Sequence, residues 1–82
     1  MDDSPRIRLL SRPGCHLCDE AREIVAAVAA DVGAGWSEES VDDDPSLARR
    51  YGEQVPVIFV DGWVHDYWQV DPLRLRSALT KP

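Results

Sequence analysis

The sequence predicts an α/β fold of element order βαβαββα, packed as one domain over residues 1–82. Three observations carry this reading. After Leu17, apolar residues recur at helical spacing, at Ala21, Ile24, Val25, Val28 and Val32. The run Val55 to Val60, V-P-V-I-F-V, is continuously apolar and ends at Asp61-Gly62, a hairpin signal. Asp-Pro occurs at Asp44-Pro45 and again at Asp71-Pro72, each matching a helix N-cap with proline at the first helical position.

Taken in order, Arg6 to Ser11 alternates charged and apolar side chains before Pro13-Gly14, the pattern of a strand entering a turn. A helix then spans about Cys15 to Asp31; alanines fill much of its remaining surface, and Gly33 and Gly35 end it. Trp36 to Val41 is a weaker strand, and its serines and glutamates fit a sheet edge. The run Asp42-Asp43-Asp44 reads as a solvated cap on a short helix through Leu47, Ala48 and Tyr51, closed by Gly52. No further carboxylate cluster supports a metal there. Val55 to Val60 and Trp63 to Tyr67 form an antiparallel hairpin, with His65 and Tyr67 on one face and Val64 and Asp66 on the other. The last helix carries Leu73, Leu75, Ala78 and Leu79.

A hydrophobic content of 44% supplies a core, and 29% charged residues is too few to force disorder. The formal net charge of -6 repels phosphate backbones and anionic lipids, so neither nucleic acid nor membrane is an expected partner. Proteins and small thiols are. Two acids stand near the N-terminus where a signal peptide would carry positive charge, and no apolar run reaches spanning length. A cytoplasmic monomer is therefore expected, a setting in which a lone cysteine pair is catalytic or metal-binding more often than a permanent staple.

The only two cysteines, Cys15 and Cys18, lie in S-R-P-G-C-H-L-C-D-E. At the first turn of a helix this spacing puts the side chains ~5 to 6 Å apart on one face, and a disulfide needs Cα atoms ~4.4 to 6.8 Å apart. The pair can open and close without refolding. The helix N-terminus favours a thiolate at Cys15, the candidate nucleophile, and Cys18, one turn further in, is the candidate resolving thiol. A structural zinc site is disfavoured, because the chain adds only His16 and His65 and His16 lies between the cysteines. A purely structural disulfide would close too short a loop to add much stability.

The stretches R-L-L-S-R-P-G-C-H-L-C-D-E-A and Q-V-P-V-I-F-V-D-G, with the long helix between them, resemble the glutaredoxin-like branch of the thioredoxin superfamily over nearly the whole chain. The resemblance implies a thioredoxin-like fold, a four-stranded mixed sheet flanked by three helices. It also implies a cis Pro56 beside the cysteines, with Val55 positioned for a β-type contact with a substrate chain. The implied activity is dithiol–disulfide exchange by Cys15 and Cys18 on protein or small-molecule disulfides, through a redox-active disulfide and without a required cofactor. Electrons would come from a reductase or a low-molecular-weight thiol. The W-V-H-D-Y-W-Q-V-D-P segment departs from the G-G-acid feature of glutathione-using glutaredoxins, which argues against glutathione.

Around the cysteines, His16 and Leu17 are placed to tune the pair, and Arg12 is close enough in sequence to add positive potential. Asp19 and Glu20 oppose a thiolate there. His65 reads as an ordinary strand position. By size, Trp36, Trp63 and Trp68 read as core residues; the topology implied by the resemblance puts Trp68 nearest the cysteines, as a candidate docking aromatic. Two other readings stay open at this point: an iron-sulfur cluster or metal held through the cysteines, and a scaffold with idle thiols.

Overall fold

The computed structural model describes residues 5–80, so the acidic N-terminal residues and Lys81 lie outside the described residues. The elements are β1 (Ile7–Ser11), α1 (His16–Val32), β2 (Trp36–Ser40), α2 (Pro45–Tyr51), β3 (Val57–Val60), β4 (Trp63–Tyr67) and α3 (Pro72–Thr80), with a 3₁₀ turn over Val41–Asp43 between β2 and α2. The strands form one mixed sheet in the order β2-β1-β3-β4. β2 runs parallel to β1, and β3 runs antiparallel to both β1 and β4.

Side-chain alternation along the strands divides the interior in two. Ile7 and Leu9 of β1, with Ile58 and Val60 of β3, pack against Ala21, Val25, Val28 and Ala29 of α1 and Leu75 and Leu79 of α3. Leu10 and Val57 point the other way and join Val41, with Leu47 and Tyr51 of α2 packed alongside. Helices α1 and α3 therefore share one face and α2 covers the other, burying both faces of the central strands.

The helix ends follow their local chemistry. Asp44 accepts the Ser46 N–H at 2.8 Å and Asp71 accepts the Leu73 N–H at 2.9 Å, so each aspartate satisfies an amide that the following helix leaves unpaired. α1 ends at Gly33, whose left-handed backbone (φ 73°) carries its N–H back to the Ala29 carbonyl. In the β3–β4 turn Asp61 and Gly62 both have positive φ, 53° and 88°, the geometry that matches the twist of a two-residue hairpin.

Several sequence expectations are corrected. β3 begins at Val57, after Val55 and Pro56. β2 stops at Ser40, and Val41 turns inward to full burial. Leu73 is 75% exposed, because the buried stripe of α3 runs through Leu75 and Leu79. Trp63 and Trp68 are surface residues, 79% and 54% exposed, and only Trp36 packs against the core. A bulge in β4 overrides its alternation: Ile58 pairs with Asp66 and Phe59 with Val64, leaving His65 as the extra residue. His65 and Asp66 consequently both meet Arg74 of α3, and Tyr67 shares the opposite face with Val64.

Candidate functional site

Cys15 is the N-cap of α1, with extended backbone (φ -98°, ψ 112°), and lies just outside the helix that the sequence led us to begin there. Its sulfur takes the place an oxygen usually holds at this position. The Cys18 N–H donates to Cys15 Sγ at 3.2 Å, so an amide at the positive end of a 17-residue helix points at the sulfur. Cys15 is partly exposed and Cys18 fully buried; both thiols are free.

Burial and neighbours set the state of Cys18. Burial pushes its thiol up to about 12, and the hydrogen bond to Cys15 adds to the rise; the Arg12 backbone N–H and the charge of Arg22 pull the other way. At neutral pH Cys18 is therefore a protonated thiol, sheltered beneath Cys15. Arg22, one turn beyond Cys18, is fixed by three acceptor oxygens: both Glu38 oxygens at 2.7 Å and Asp19 at 2.9 Å. Glu38 also accepts the hydroxyl of the buried Ser11 at 2.6 Å. Hydrogen bonding to Arg22 holds the Glu38 carboxyl below the usual carboxylate range.

The other expected site residues fall into two groups. Leu17 is 41% exposed on the first turn of α1, and Trp68 stands across from it at the end of β4. The Val55–Pro56 peptide is cis. Trp68 is tied to that segment by its backbone N–H, which donates to the Pro56 carbonyl at 2.8 Å and the Gln54 carbonyl at 3.3 Å, and by its indole N–H, which donates to the Glu53 carbonyl at 3.2 Å. Among the described residues neither the N–H nor the C=O of Val55 has a backbone partner outside the helices and strands. His16 is exposed at the start of α1. Arg12 departs from expectation: its guanidinium turns to Asp42, 3.5 Å away, and the residue reaches the cysteines through its backbone. His65 lies apart, against Arg74, Ser77 and Ala78, where burial holds its imidazole below the ordinary histidine range. Among the described residues no group of three or more His, Cys, Asp or Glu side chains could hold a metal ion.

Two features escaped the sequence reading. The Ser11–Glu38–Arg22 network depends on β2 lying beside β1, with Leu9 opposite Glu38, a register that the sequence does not announce. The backbone of Trp68 is left-handed (φ 69°), a conformation that costs a non-glycine residue energy and that sequence gives no reason to expect of tryptophan. Arg22 alone carried a visible signal, four residues after Cys18 on one helix face.

The glutaredoxin-like domain family (DUF836) matches residues 6–80 of the chain. An uncharacterized protein of Mycobacterium tuberculosis is 33% identical over 82 residues, covering 94% of this chain and 84% of its own. Among solved structures, the X-ray structure of target protein XcR50 from X. campestris is 36% identical with a TM-score of 0.75, covering 93% of this chain and 99% of that one. Fasciola hepatica thioredoxin, at 20% identity, shares the fold with a TM-score of 0.60 over 90% of this chain and 76% of its own. A chain matched from Arg6 to Thr80, with a four-stranded mixed sheet between three helices in a thioredoxin-like fold and a C-x-x-C pair at the start of the first helix, belongs to the glutaredoxin-like domain family (DUF836).

Proposed function

We propose that the protein is a thiol–disulfide oxidoreductase working through Cys15 and Cys18. The observation that carries this reading is the asymmetry of the pair: a partly exposed sulfur at the helix N-cap, held by the Cys18 amide, above a buried protonated thiol. The Cys15 thiolate attacks one sulfur of a substrate disulfide, forming a mixed disulfide and releasing the other sulfur as a thiolate that takes up a proton. Cys18 then gives up its proton and attacks Cys15 Sγ. The Cys15–Cys18 bond forms, the bond to the substrate breaks, and the second substrate sulfur leaves and is protonated. Two electrons pass from the dithiol to the substrate, and a reductase or a low-molecular-weight thiol returns them. The chemistry requires no dissociable cofactor. A cytoplasmic monomer fits it, since the reduced pair must be regenerated.

The test is turnover of a disulfide substrate by Cys15→Ser and Cys18→Ser. Cys15→Ser abolishes exchange, whereas Cys18→Ser accumulates a mixed disulfide that mass spectrometry detects on Cys15. Equal, mild losses in both variants would overturn the assignment.

A further inference from the structure

The first turn of α1, which Cys15 caps, and the turn between β4 and α3 line two adjoining hollows, of about 590 and 250 Å³, which share Leu17, Trp68, Gln69 and Val70. Ala21 and Ile24 extend the apolar lining along α1. The charges around this groove are unbalanced. Glu20, Asp66 and Asp71 line it. Arg74 is the one basic side chain in the lining of the two hollows, and Asp66 is paired with it at 3.4 Å. An incoming carboxylate would meet no unpaired cation in this lining. An incoming ammonium or guanidinium would meet Glu20 and Asp71, both exposed.

Resting on the dithiol reading above, we propose that this groove selects a cationic peptide segment beside the substrate's disulfide, with an apolar side chain seated between Leu17 and Trp68 and lysine or arginine facing Glu20 and Asp71. The substrate class is then a protein disulfide flanked by basic and apolar residues. Oxidised glutathione, whose glycine and γ-glutamyl carboxylates make it anionic, is disfavoured by the same charges. Trp68 is positioned for this role by its backbone N–H, which donates to the Gln54 and Pro56 carbonyls, and by its indole N–H, which donates to the Glu53 carbonyl.

The experiment compares kcat/KM at low salt for two matched peptide disulfides, alike except that lysines or glutamates flank a leucine, together with oxidised glutathione and the neutral 2-hydroxyethyl disulfide. The lysine peptide is expected to lead the glutamate peptide by on the order of tenfold, a preference that shrinks as salt is added. Glu20→Gln reduces it and Glu20→Lys reduces it further; Glu20 is exposed, so both variants retain the fold. Trp68→Ala lowers the rate for both peptides while keeping their order. Equal rates for the two peptides, a lead for oxidised glutathione, or a preference that ignores Glu20→Lys would overturn the groove assignment. Exchange with 2-hydroxyethyl disulfide keeps the dithiol reading intact in each of those cases. No exchange with any of the four substrates would overturn that reading itself.

Discussion

The protonated state of Cys18 has a measurable consequence. With its thiol pushed up to about 12, the thiolate fraction at pH 7 is about 1 in 10⁵, against about 3% for an unperturbed thiol near 8.5. Alkylation of Cys18 in the native reduced protein should thus be slower than that of a free thiol by on the order of 10³-fold from ionisation alone, and complete burial slows it further. Raising the pH should speed labelling about tenfold per unit with no plateau below pH 11. The assay is iodoacetamide labelling of reduced protein across pH 6 to 11, with peptides assigned by mass spectrometry. In Cys15→Ser the sulfur that raises the Cys18 thiol by hydrogen bonding and charge is gone, but burial, the larger cause, remains. Cys18 labelling should then quicken without reaching the free-thiol rate. A plateau near pH 8 to 9 in the wild-type protein would refute the reasoning, because it would mean that burial does not hold the proton on Cys18.

Arg22→Gln should lower the denaturation midpoint at pH 7, and the gap from wild type should close in acid. Glu38 is held below its ordinary range, so its stabilisation is complete above the unfolded carboxylate value near 4.5 and fades as pH falls through the folded value; a gap that persists at pH 2 to 3 would assign the loss to packing instead. Trp68→Gly should be more stable than Trp68→Ala by about 1 kcal/mol in urea unfolding, since both lose the ring and only alanine retains the strain of positive φ. Leu75→Ala, which empties a fully buried position between α3, α1 and the sheet, should cost about 2 to 5 kcal/mol, whereas the exposed Leu73→Ala should stay within about 0.5 kcal/mol.

Much of this molecule was legible one element at a time. The apolar periodicity from Ala21 to Val32, the Asp-Pro caps at Asp44 and Asp71 and the Asp61-Gly62 turn are local signals, each read within a few residues of where it acts. The cysteine pair belongs with them, because its spacing and the helix after it are written contiguously. The same logic misplaced residues whose fate rests on distant partners. Leu73 looked apolar enough to bury but stands a helical face away from Leu75, and Trp63 looked like core but sits at an exposed hairpin end. The alternation expected of β4 failed at His65, where pairing with β3 inserts one extra residue and turns two consecutive side chains to the same helix.

The sequence alone determined the element order, the helix caps and which two thiols stand together, since neighbouring residues settle these through backbone geometry and capping. Tertiary structure decided which thiol is sheltered, where the Arg12 guanidinium goes and what closes the groove. Cys18 is buried only when the chain is folded around it, the Arg12–Asp42 pair joins residues 30 positions apart, and Leu17 and Trp68, far apart in sequence, line one groove. Desolvation and charge act through space, and only the folded chain fixes those distances.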